Sequence, residues 1–181
     1  MRLRVESGES GGRRLLAPSG IRPTEALVRA AIFDMLAEAV LGAAVIDLFA
    51  GSGALGIEAL SRGARFAVFV ERARSYATIL RQNLDALGYR QRSRLEVADA
   101  IRWLEAHPAD LGASSLVLLD PPYGDLSLGA SLSTLDRLAS PGTIVVAEHR
   151  VGAELPGLER LRRLRERRYG DSAVTVLRAR P

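Results

Sequence analysis

The sequence predicts an α/β domain whose mostly parallel sheet is covered by helices on both faces. Three observations carry this. Short apolar runs alternate with amphipathic segments between residues 44 and 147, an order that builds parallel strands joined by crossover helices. The first of these runs ends in a glycine-rich turn, which marks it as a buried strand. The alternation stops after His149, where a Gly170-Asp171 turn followed by Ala173–Leu177 reads as a closing hairpin.

Each element has its own warrant. Residues 1–23 are expected to form a basic N-terminal extension, a hairpin or loop, because 7–23 mixes glycine, proline, serine and arginine without periodicity. The domain proper then covers 24–181. Thr24 can cap a helix in which Leu27, Val28, Ala31, Ile32, Met35, Leu36, Ala39 and Val40 recur at helical spacing. Strands follow at Ala44–Phe49, Phe66–Val70, Arg94–Ala98, Leu116–Leu119 and Thr143–Ala147. Between them lie a helix with Tyr76, Ile79, Leu80, Leu84 and Leu87, stopped by Gly88, and helices near Ile101–Ala106 and Leu128–Leu138. Leu158, Leu161 and Leu164 have helical spacing, but the turn that follows favours a hairpin over the Arg-rich 160–168 tract.

Composition narrows the chemistry. The chain has 181 residues, 48% hydrophobic and 25% charged, enough to bury its own core without staples. The absence of cysteine excludes thiolate-bound zinc, iron–sulfur clusters and thiol nucleophiles, and two isolated histidines, His107 and His149, leave little for a metal site. The longest uncharged apolar stretch, between Glu38 and Asp47, falls short of the ~18–20 residues of a bilayer span. The first residues lack the apolar run of a signal peptide. A cytoplasmic monomer with no membrane association and no metal is the expectation. All 25 basic residues are arginine. Residues 1–35 carry six against four acids, 150–181 carry nine against four, and 36–149 carry ten against thirteen, so the ends hold +7 and the centre −3. The lack of lysine is most simply a matter of codons; the uneven placement of arginine suits a polyanionic partner.

Two constellations point to a reaction. In Asp47-Leu48-Phe49-Ala50-Gly51-Ser52-Gly53-Ala54-Leu55-Gly56, the glycines match a dinucleotide turn, and Glu71 lies twenty residues past Gly51. Asp47 argues against a pyrophosphate, which a carboxylate beside a helix N-terminus would repel. It suits S-adenosylmethionine, which carries a sulfonium and an ammonium, either directly or through water. Glu71 is then placed for the ribose hydroxyls and Asp99, at the end of the third strand, for the adenine amino group. Candidate cofactor-binding residues are Asp47, Ala50, Gly51, Gly53, Glu71, Arg72, Asp99 and Ala100.

The second constellation is Asp120-Pro121-Pro122-Tyr123 after the fourth strand. Paired prolines rigidify the turn. The Asp120 carboxylate and Pro121 carbonyl can accept both N–H bonds of an exocyclic base amine, drawing its nitrogen toward sp³ geometry and turning its lone pair on the methyl donor. Tyr123 offers a ring for an extruded base. Catalysis by positioning and electrostatics needs no strong base.

These residues resemble a family. Asp/Asn-Pro-Pro-aromatic after the fourth strand is the signature of amino-group methyltransferases acting on bases or on a protein glutamine. Gly11–Leu15, Ile21-Arg22-Pro23-Thr24 leading into Val28–Phe33, Asp47–Arg62, Asp120–Tyr123 and Tyr169-Gly170-Asp171 look like the RsmD-type small-subunit ribosomal RNA guanine-N2 methyltransferases. The resemblance implies a Rossmann-like class I methyltransferase fold with seven strands, the C-terminal one antiparallel. It implies S-adenosyl-L-methionine as cofactor and methyl transfer to N2 of a guanine in 16S ribosomal RNA, within a 30S subunit or an assembly intermediate. One departure is Glu9-Ser10, where the family often carries Lys or Arg. Expected RNA contacts are Arg13, Arg14, Arg22, Thr24 and Arg29. Four rivals are weaker, the first a protein-glutamine methyltransferase, which would more often carry Asn at position 120 and an extra N-terminal domain. An N6-adenine methyltransferase is disfavoured because no stretch is long enough for a target-recognition domain, an NAD-dependent oxidoreductase by Asp47, and a non-catalytic RNA-binding module because it would not need the Asp-Pro-Pro-Tyr geometry.

Overall fold

A computed structural model describes residues 3–17, 26–122 and 126–181. Among them, strands β1 (Ala44–Leu48), β2 (Phe66–Val70), β3 (Ser93–Glu96), β4 (Leu116–Leu119), β5 (Ile144–Arg150), β6 (Leu161–Tyr169) and β7 (Ser172–Ala179) form one sheet. Its order is β3-β2-β1-β4-β5-β7-β6. β1 to β5 pair in parallel, and β7 runs antiparallel to both its neighbours. The helices are α1 (Ala26–Leu36), α2 (Ala54–Ser61), α3 (Arg74–Leu87), α4 (Ala100–Ala106), α5 (Pro108–Ala113) and α6 (Ser127–Leu138). This is the Rossmann-like arrangement with an antiparallel C-terminal strand that the resemblance implies.

The central strands read as continuous apolar runs because both their faces are covered. Alternate residues feed two cores. On one face, Val45, Phe69, Leu118 and Val146 meet α1, α2 and α3; on the other, Ile46, Val68, Val117 and Val145 meet Trp103, Leu111 and Leu132 of α4, α5 and α6. Gly88 ends α3 in the left-handed conformation at φ 74°, as its position predicts.

The departures have physical causes. β5 runs past the predicted Ala147 to Arg150 because antiparallel β7 continues beside it, pairing Glu148 with Val174 and His149 with Ala173. Both polar residues are buried, with His149 Nε2 lying 2.9 Å from Thr175 Oγ1, so apolar patterning could not show them. β3 starts at Ser93 and ends at Glu96, short of Ala98, and Val97 is exposed. The helix α5 escaped the pattern because its one buried residue is Leu111. In α1 the buried stripe is Val28, Arg29, Ile32, Phe33 and Leu36, while Leu27 is 67% exposed.

That last shift is caused by the N-terminal segment. Residues 3–15 form a hairpin in which Val5 N donates to Arg13 O at 3.0 Å and Leu15 N to Leu3 O at 3.0 Å. Leu3, Val5 and Leu15 join the same core cluster as α1, α2 and α3. The wholly buried Glu58 of α2 holds the hairpin down: its carboxylate accepts from Glu6 N at 2.7 Å, Ser7 N at 3.0 Å and Arg62 Nε at 2.7 Å. Glu9 pairs with Arg92 at 2.6 Å, and Ser10 accepts from Tyr89 OH at 2.7 Å. The acid and serine that depart from the family's basic pattern are thus spent on docking the hairpin.

Candidate active site

The carboxyl ends of the parallel strands collect the predicted acids, where open α/β sheets bind their ligands. Asp47 is the fourth residue of β1. Its side chain is 1% exposed, and Oδ2 accepts a hydrogen bond from Gly56 N, in the first turn of α2, at 2.8 Å. This close approach requires glycine at 56: a Cβ there would lie 2.3 Å from the Phe69 ring and 2.9 Å from Asp47 Oδ2. Burial pushes the Asp47 carboxyl up to about 8; the Gly56 hydrogen bond opposes this, and repulsion from the Asp120 and Glu71 carboxylates adds to it. Sequence reasoning gave Asp47 to the cofactor, directly or through water. The structure gives it a definite partner in the backbone of α2 as well.

Glu71, just past β2, is similarly engaged. Oε2 accepts from Gly51 N at 2.9 Å and Oε1 from Ala73 N at 2.7 Å, so one carboxylate ties the glycine turn to the start of α3. The turn itself is tightly constrained. Gly53 precedes α2 at φ 81°, and a Cβ there would come within 2.1 Å of Leu80 Cδ1. Gly51 also has positive φ, 55°, yet a Cβ would meet only Phe49 O at 3.9 Å. Its outer side is open, which is the condition for close approach of a ligand to backbone. Ala50 is buried and Arg72 exposed. Asp99 is exposed and caps α4, with Oδ1 accepting from Arg102 N at 3.1 Å, while Ala100 is buried behind it.

Next to β1 in the sheet, β4 delivers Asp120 half-buried, Pro121 buried and Pro122 exposed. Tyr123 lies outside the described residues. The strand order places β1 between β2 and β4, and the Asp47 carboxyl is within electrostatic reach of both Glu71 and Asp120. A site with that field favours a cation.

The expected RNA contacts divide. Arg13 is exposed, and its Nη2 donates to Ala86 O at 2.9 Å; Arg14 is exposed on the hairpin. Arg22 and Thr24 lie outside the described residues. Arg29 is corrected: it is 2% exposed, with Nη2 donating to Glu6 Oε1 at 2.5 Å and to Arg4 O at 3.0 Å. Its guanidinium fastens the hairpin to α1 and faces no solvent. Sequence reasoning also missed Asn83 of α3. This residue is 2% exposed, and its Nδ2 donates to both Leu16 O and Ser52 O at 2.9 Å, while Oδ1 accepts from Leu16 N at 2.8 Å. Asn83 therefore joins the hairpin to the glycine turn, and its place on the buried face of an amphipathic helix was the available signal.

Comparison with known proteins accounts for this arrangement. The family model described as "Conserved hypothetical protein 95" matches residues 3–178. The chain is 36% identical to the "Putative rRNA methyltransferase YlbH" of Bacillus subtilis (strain 168), over 98% of this chain and 100% of that one. It is 38% identical to "Ribosomal RNA small subunit methyltransferase D" of Escherichia coli (strain K12), over 67% of this chain and 60% of that protein. The chain belongs to the RsmD-type methyltransferase family. The solved structure of the "Putative methyltransferase yhhF from Escherichia coli" superimposes with a TM-score of 0.85 at 29% identity, covering 99% of each chain. For an RsmD-type methyltransferase the cofactor is S-adenosylmethionine, and the open side of Gly51 beside a cluster of carboxylates fits that cation. The sequence expectation for its binding rests on Asp47, Gly51, Gly53, Glu71 and Asp99.

Proposed function

We propose that this protein transfers a methyl group from S-adenosylmethionine to the exocyclic N2 amine of a guanine in 16S ribosomal RNA. The observation that carries the reading is the adjacency of β1 and β4: paired at Leu48 and Leu119, one strand leads into the open glycine turn and the other into Asp120-Pro121. The named activities of the B. subtilis and E. coli relatives support ribosomal RNA as the substrate. The cofactor supplies an electrophilic methyl group on a cationic sulfur.

The chain's own residues do the rest. The Asp120 carboxylate and the Pro121 carbonyl accept the two N–H bonds of the amine, which localises its lone pair and aims it. Proline at 122 removes an N–H that would compete for these acceptors. Tyr123 stacks on the extruded base. Methylation leaves a cationic amine that sheds its proton to water, so no residue has to act as a strong base. Asp47 and Glu71 keep the glycine turn in place through Gly56 N and Gly51 N.

The test is incubation of undermethylated 30S subunits, and separately of free 16S RNA, with labelled S-adenosylmethionine, followed by mass spectrometry of the nucleosides. Labelled N2-methylguanosine is expected. N6-methyladenosine would overturn the base assignment, and label in neither RNA sample would overturn the substrate.

A further inference from the structure

The edge strand β6 carries charge differently on its two faces, and a bulge makes the difference. Unbroken alternation would put Arg162, Leu164, Glu166 and Arg168 on one face. The pairing register instead shifts between Arg163 and Arg165. Arg163, Glu166 and Arg168 now pair with Leu177, Thr175 and Ala173, and there Glu166 lies 3.1 Å from Arg163 and 3.7 Å from Arg168. The other face receives Arg162, Arg165 and Arg167, opposite Arg178, Val176 and Val174, and ends in the half-buried Tyr169. Arg162, Arg165, Arg167 and Arg178 are all exposed.

Among the described residues, no carboxylate lies within ion-pair distance of these four arginines. Glu148, an acid on the same face, is 3% exposed and two strands away from Arg167. Arg162 and Arg178 stand directly opposite one another, an arrangement that costs stability in a ladder and that a bound anion relieves. An edge strand needs charge to avoid pairing with another chain, but the mixed charges of the Glu166 face would serve that end equally well. Through Ala147, Thr175 and their neighbours, Arg167 is level with the residue after Leu119, which is Asp120. Three strand spacings, about 14 Å, separate them.

We infer that the Arg162–Arg165–Arg167 face of β6, with Arg178, is a second RNA-binding surface that tracks the phosphates flanking the target nucleotide. The inference rests on the RNA substrate proposed above. Arginine forks bind phosphate bidentately, and a line of them that starts level with Asp120 and runs down the sheet edge fits a strand of nucleic acid.

The test measures binding of the full chain to unmodified 16S RNA transcribed in vitro, by filter retention across a range of potassium chloride concentrations. Replacing Arg162, Arg165 and Arg167 together by glutamine is expected to reduce the log–log salt slope by about 2, since each phosphate contact contributes roughly 0.7. Replacing Arg163 and Arg168 is expected to change it by less than about 0.7. Lysine at the three positions should restore the slope, and S-adenosylhomocysteine affinity by calorimetry should be unchanged throughout, which confirms folding. Equal effects from both faces, or no effect from either, would overturn the inference. So would a triple variant that loses affinity for 30S subunits but keeps it for free RNA, since that marks a protein contact. A wild-type chain without affinity for RNA would instead remove the proposed substrate.

Discussion

The strand ends around Asp47 and the edge strand β6 handle charge in opposite ways. At the strand ends, acids are buried and bonded to backbone: Asp47 to Gly56 N, Glu71 to Gly51 N and Ala73 N. Along β6, arginines are exposed, and those on one face have no described carboxylate beside them. The buried acids act over short distances, where a lowered dielectric makes each one count and their repulsion favours a cation. The exposed arginines act through a field that salt screens. The formal charge of +4 conceals this division between an acidic and a basic region of one sheet.

The largest effect should come from the reacting end of the acidic region. Asp120→Ala is expected to lower methyl transfer by at least about 100-fold, the scale of losing a positioned polar partner in a transition state. S-adenosylmethionine affinity, read by calorimetry, should stay within a few-fold of wild type. Parallel loss of both would move Asp120 from the base to the cofactor and blur the contrast between binding and chemistry within the acid cluster.

Arg29 sharpens the comparison from the basic side, because it belongs to the interior. Arg29→Met removes a buried guanidinium from Glu6 and from the Arg4 carbonyl. The expected cost is about 2–3 kcal/mol, a fall of roughly 5–10 °C in Tm. The salt slope of RNA binding should not change. Arg14→Ala should do the reverse, leaving Tm in place and reducing the slope by about 0.7. If Arg29→Met altered the slope and not the Tm, the hairpin would have to open in solution.

Much of this architecture was legible in the sequence, and the exceptions share a cause. β1, β2 and β4 are buried on both faces, so their apolar runs declared them, and Gly88 announced the end of α3. The glycine turn, Glu71 and Asp120 were found by spacing, because each follows a strand directly. What stayed hidden was polar burial. Arg29 looked like a surface residue and Leu27 like a core one, since the hairpin that covers this flank of α1 comes from elsewhere in the chain. Glu148 and His149 concealed the last part of β5 for the same reason. The bulge in β6 has no apolar signature at all, and only the register reveals that its arginines are sorted by face.

The last prediction tests whether burial holds Asp47 against ionisation. Asp47→Asn keeps an acceptor for Gly56 N but removes the charge. In the wild type the folded-state carboxyl is raised from 3.8 to about 8, so the folded chain holds a proton that the unfolded chain releases. Its contribution to stability is therefore complete below about pH 4 and declines as pH rises toward 8. Asn at 47 has nothing to release. The stability of the variant relative to wild type should be lowest below about pH 4 and should rise steadily from there to about pH 8, read as a growing difference in Tm. S-adenosylmethionine should respond oppositely, with the variant losing affinity only at the higher pH, where wild-type Asp47 offers a full negative charge to the cation. A difference in Tm that is constant from pH 5 to pH 9 would mean that Asp47 is ionised throughout. The cluster would then be a set of well-compensated anions, and the contrast with the β6 edge would lie in burial alone.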